Sequence, residues 1–85
     1  MIQIVIREDE PISQFIEARM LQSGREQQAI AEELIRDGFY ALVQMRHEQF
    51  MRGEISQGHM AELLGISRTD LIHLLDRLGL QVTNL

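Results

Sequence analysis

The sequence predicts a mainly α-helical fold with a short N-terminal strand, helices and a C-terminal helix-turn-helix, in a chain expected to be dimeric. Three observations lead there. Residues 56–75, SQGHMAELLGISRTDLIHLL, read as two short helices about a tight turn at Gly65. Residues 1–7, MIQIVIR, alternate apolar and polar as a half-buried strand does. A single strand cannot satisfy its own ladder hydrogen bonds, so this one needs a distant partner or a second chain.

Ile2, Ile4 and Ile6 share one face of the strand and are the candidate dimerisation residues, with Gln3, Val5 and Arg7 opposite. Two partners are open: the C-terminal LQVTNL, where Leu80, Val82 and Leu85 offer a second extended piece after a stop at Gly79, or another copy. The acidic run Glu8, Asp9, Glu10 leads into Pro11, suited to a first helical position, and a short helix is expected through about Leu21. Ser23 and Glu26 are spaced as a capping box for the next helix, which carries Ile30, Leu34 and Ile35 and continues toward Met45, Phe50 and Met51 until Gly53 stops it. Gly38 can break that helix or sit within it, since one interior glycine costs only about 1 kcal/mol. The organisation is one domain, with residues 1–52 serving dimerisation and 53–85 forming the helix-turn-helix and tail.

Within the helix-turn-helix, Ala61 supplies the small side chain at the helix crossing and Gly65 the residue that tolerates positive φ. Met60, Leu64, Ile66, Leu71, Leu74 and Leu75 form its apolar side. Ser67 opens the second helix as an N-cap with Asp70 three residues on, and Ser56 can cap the first. An ordinary helical hairpin would use the same core and present nothing to a groove.

Composition narrows the function classes. Eighty-five residues allow a modest core, and the absence of cysteine removes disulfides, zinc fingers and thiol chemistry. No apolar run is long enough for a span or a leader, so a soluble cytoplasmic protein is expected. The net charge is −5, with eight arginines and no lysine. Such a balance argues against unspecific coating of nucleic acid but leaves room for a local basic patch on a dimer. Amine reagents would find only the N-terminus.

No catalytic constellation is legible, and the chain is read as a non-enzyme without metal or cofactor. His47, His59 and His73 are the only histidines and read as surface residues; His59 with Glu62 has metal-ligand spacing but no converging further ligands. There is no glycine-rich phosphate loop and no nucleophile with an assignable base. Glu32 and Glu33 read as solvated surface, with Arg36 one turn from Glu32 for ordinary pairing. The helical methionines read as adaptable core or interface.

The remaining chemistry is recognition. Outward positions of the second helix are expected at Arg68, Thr69, His73 and Arg77, with Ser56, Gln57 and Ser67 near phosphates. Against them stand Glu62, Asp70 and Asp76, and Ile72 occupies a place usually polar in a groove-facing helix. If Ile72 is exposed with Leu78, the unit would instead dock another helix, and the chain would be an interaction adaptor with a degenerate helix-turn-helix. The first forty residues also have the outline of a ribbon-helix-helix, in which Gln3, Val5 and Arg7 would face bases; a strand used for dimerisation alone is the competing reading.

GEISQGHMAELLGISRTDLIHLLDRLGLQV, preceded by a helix ending FMR, resembles an uncharacterised family of small prokaryotic proteins. Gly53, Ile55, Ser56, Gly58, Ala61, Glu62, Leu63, Gly65, Ser67, Leu71, Leu74, Leu75 and Gly79 fall on its pattern, whereas His59 and Met60 replace its basic-small pair and the amino half is longer. The resemblance covers about residues 50–82. It implies an antitoxin-like transcriptional regulator, a homodimer that binds its own operator DNA and neutralises a toxin of the PIN-domain ribonuclease type.

Overall fold

Pro11, with its fixed φ and missing N–H, begins a helix at little cost, and α1 runs Pro11–Ser23. It is described in a computed structural model covering residues 2–84; Met1 and Leu85 lie outside the described residues. Three more helices follow: α2 (Gln27–Met51), α3 (Gln57–Leu64) and α4 (Arg68–Arg77). No β-ladder forms among the described residues. Residues 2–7 are irregular, and residues 80–84 bend rather than extend, so the N-terminal segment and the tail do not pair as strands.

Three local expectations are corrected. The helix expected to end near Leu21 takes one more half turn, and the Ser23 hydroxyl donates back to the Arg19 carbonyl at 2.6 Å. Ser23 therefore belongs to the last turn of α1 and does not form a capping box for α2; the same oxygen accepts from the Arg25 amide at 3.3 Å. Arg25 instead reaches over the start of α2 to Glu33. Further along, Glu32 accepts from Gln28 at 3.2 Å, and no Glu32–Arg36 ion pair forms among the described residues. Gly38 leaves α2 unbroken.

The chain divides into two compact units, Met1–Gly38 and Phe39–Leu85. The division falls at Gly38 rather than near residue 52 because the second part of α2 is the third helix of the helix-turn-helix core. In that unit Val43 and Phe50 of α2 bury against Met60 and Ala61 of α3 and Leu71, Leu74 and Leu75 of α4. Ile55, Leu64, Ile66, Leu80 and Val82 close the cluster around its edge. Val43, Met60, Leu71 and Leu75 are fully enclosed, so trimming any leucine among them to alanine would cost about 2–5 kcal/mol.

The turn between α3 and α4 follows the expected chemistry. Gly65 sits at φ 70°, a left-handed conformation in which a Cβ is strained. Its amide donates to Glu62 O and the Ile66 amide to Ala61 O, the paired bonds of a Schellman stop. Ile66, just past the stop, folds back onto the core. The same two-bond pattern ends α2, from Gly53 to Phe50 O and from Glu54 to Gln49 O. Ser56 and Ser67 cap α3 and α4 as expected, accepting from the His59 and Asp70 amides at 3.0 Å.

The N-terminal unit is sparsely filled. Ile16 and Ile30 are its buried apolar residues, while Ile4, Ile12, Phe15, Leu21 and Ile35 remain exposed and Ile2 is 87% exposed. A groove of about 160 Å³ is lined by Ile4, Ile6, Ile12, Ile16, Leu34 and Ile35. Of the three isoleucines that the alternation assigns to one face, Ile4 and Ile6 line this groove and Ile2 does not.

Candidate nucleic-acid interface

The helix-turn-helix leaves one side of α4 free. Leu71, Leu74 and Leu75 turn inward, which leaves Thr69, His73 and Asp76 exposed on the opposite side. Arg68 and Arg77 are both exposed, but nine residues is about two and a half helical turns, so they occupy opposite flanks of α4. The sequence-predicted readers therefore separate into a central pair, Thr69 and His73, and two flanking cations. Asp76 shares the central face and Asp70 the Arg77 flank.

The serine caps are compatible with an anion outside them. Each hydroxyl accepts from its own helix and keeps its proton to donate elsewhere. Gln57 differs from what its position suggests. Its amide is half-buried, with Nε2 donating to the Val82 carbonyl at 2.9 Å and Oε1 accepting from Arg68 Nη2 at 2.9 Å. The Arg68 stem lies along the first turn of α3, where a Cβ on Gly58 would stand 3.9 Å from Arg68 Cδ.

No family model, curated protein or solved structure matches the chain significantly.

The Arg77 flank has a different character. Arg77, His73 and Asp70 rim a groove of about 310 Å³ whose floor is Phe39, Ile66 and Leu74. Ile72 is half-buried and Leu78 is 37% exposed. Six residues separate these two, about one and two-thirds turns, so they do not join into the single docking patch considered from the sequence. Phe39, Tyr40, Met45 and Leu63 are the other exposed large apolar side chains of this unit, and of these Phe39 lines the groove beside Arg77.

Two features are not visible in the sequence. Residues 81–84 are fastened to the helix-turn-helix: His47 Nε2 meets the Gln81 carbonyl at 2.8 Å, Gln57 holds Val82, and Asn84 Nδ2 donates to Phe50 O at 3.4 Å. His47 is 8% exposed and is not a surface histidine. Because a carbonyl only accepts, Nε2 carries the hydrogen. A histidine near the end of α2 gives no sign of a partner 34 residues away; only the apolar spacing Val43, His47, Phe50 hints that it faces inward.

Toward the N-terminus, Arg7 lies 3.4 Å from Asp9 and 3.5 Å from Glu10, with Arg7 and Asp9 exposed and Glu10 half-buried. One of the three residues that a DNA-reading ribbon would present is thus neutralised by its own acidic run. Among the described residues no three His, Asp or Glu side chains gather as metal ligands would, and no helix is long and apolar enough to cross a membrane.

Proposed function

We propose that the chain is an antitoxin-like transcriptional regulator that binds its own operator as a homodimer in a prokaryotic cytoplasm. The observation that supports this most is the free face of α4: Thr69 and His73 at its centre, an arginine on each flank and a serine cap at its start. A recognition helix lying in the major groove meets base edges along its centre and a phosphate strand on each side. Thr69 and His73 would then read bases, while Arg68, Arg77, Ser56 and Ser67 contact phosphates. Asp76 on the same face favours a cytosine amine, an acceptor's partner in the groove.

Dimerisation falls to the N-terminal unit. Residues 2–7 would pair with the same segment of a second copy, bringing Ile2, Ile4 and Ile6 over the open apolar surface. The ribbon would serve assembly rather than base reading, given the pairing of Arg7 with Asp9 and Glu10. This unit carries eight carboxylates against four arginines, a balance that suits a basic partner such as an RNA-cleaving PIN-domain toxin better than DNA.

The test is binding to the DNA upstream of the chain's own gene, titrated against salt. Saturable binding is expected, with the salt slope falling by about one for each of Arg68→Ala and Arg77→Ala. No binding at low salt would favour a protein-interaction adaptor, for which the groove of Phe39, Ile66 and Leu74 is the supporting observation.

A further inference from the structure

The tail and Arg68 are joined through one side chain. A guanidinium only donates and a backbone carbonyl only accepts, so a group that touches both must accept at one end and donate at the other. Gln57 does this, and in one orientation only: Nε2 on Val82 O and Oε1 on Arg68 Nη2. The reversed amide would set donor against donor and acceptor against acceptor. Docking of the tail thereby decides which end of the amide Arg68 meets. The tail is itself held at two further points, His47 to Gln81 O and Asn84 to Phe50 O.

An arginine otherwise free to sample many rotamers would lose that freedom on meeting a phosphate. Here its stem already lies on α3 beside Gly58 and its head is held by Gln57, with donors left over on the fork. We propose that Gln57 is a positioning residue of the DNA interface, set by the C-terminal tail, which holds the Arg68 guanidinium ready for a phosphate beside α3. This rests on the operator-binding reading. No other side chain type at position 57 does the same work. Glutamate would keep Arg68 but repel both the Val82 carbonyl and a phosphate; methionine would fill the space and serve neither partner.

The experiment is a double-mutant cycle on the full chain, using Gln57→Met, Arg68→Ala and the pair, with the duplex from upstream of its gene and a scrambled duplex as probes. Gln57→Met is expected to weaken binding roughly fivefold, the net worth of about one hydrogen bond, and to cause no further loss once Arg68 is alanine. Its salt slope stays that of the parent, because no charge is removed, whereas Arg68→Ala lowers it. In solution NMR, the Arg68 Nε–H of the parent is ordered compared with that of Arg77 and becomes mobile in Gln57→Met. If the methionine variant misfolds, Gln57→Asn, which keeps the amide but is too short to span both partners, takes its place. Equal losses in both backgrounds, or a mobile Arg68 in the parent, would overturn the proposal while leaving operator binding intact. Failure of the parent to bind either duplex would overturn the operator reading and this role with it.

Discussion

Gly38 and Gly65 put the same residue under opposite backbone conditions. A Cβ built on either meets nothing within 4 Å, so neither position is constrained by packing. Gly38 lies inside α2, where alanine is the better helix former, and Gly38→Ala is expected to stabilise the protein by about 0.5–1 kcal/mol. Gly65 sits at φ 70°, and Gly65→Ala should destabilise it by about 1–2 kcal/mol through the left-handed backbone alone. Urea midpoints of the two variants must shift in opposite directions; a shared direction would mean that the turn has another conformation in solution. His47 is the polar counterpart. In His47→Phe the ring volume is kept but the Gln81 carbonyl loses its donor. The cost expected is about 1–3 kcal/mol, with earlier proteolysis within residues 81–84 detected by mass spectrometry as the local readout.

At the scale of elements, caps and stops were legible in the sequence wherever they depend on near neighbours. Ser56, Ser67, Gly53 and Gly65 act over three to five residues, and their side-chain chemistry leaves few alternatives. Ser23 was misleading for a reason of the same kind. A hydroxyl between two helices can serve either, and Arg19 O lies one turn behind it. The long-range contacts were not legible: periodicity marks an inward face but does not name what lies opposite, and the bonds from the tail to His47 and Gln57 span 34 and 25 residues. The free face of α4 was half legible. Spacing identifies Thr69 and His73, but Arg68 and Arg77 form one surface only when helical phase is ignored. Ser67→Ala tests the element on which that face depends. It removes the bond to the Asp70 amide and should cost about 1 kcal/mol, seen as a lower melting temperature with unchanged far-UV circular dichroism at 20 °C. A change within about 0.5 kcal/mol, the range of ordinary surface substitutions, would show that the cap contributes nothing special.

At the scale of the molecule, the two units differ in how much apolar side chain they enclose, and the difference bears on assembly. Residues 39–85 close around Val43, Met60, Leu71 and Leu75 without help. Residues 2–38 enclose Ile16 and Ile30 and leave Ile2, Ile4, Val5, Ile12, Phe15 and Ile35 in water. Burying one such side chain contributes about 1.5–3 kcal/mol, so covering several in each of two copies can outweigh the entropy of association. On the proposed homodimer, a second copy of the same segment would supply both apolar faces and backbone partners for residues 2–7. The expected outcome is a dimer by sedimentation velocity at micromolar concentration, whose melting temperature rises with protein concentration because assembly stabilises the folded state by mass action. Ile4→Asp with Ile6→Asp should give monomers and a melting curve independent of concentration. Amides of residues 57–77 should keep their hydrogen-exchange protection in that variant, since their core lies wholly within residues 39–85. A monomeric parent with concentration-independent melting would refute assembly through this unit, and operator binding would then have to come from a single helix-turn-helix on one half-site.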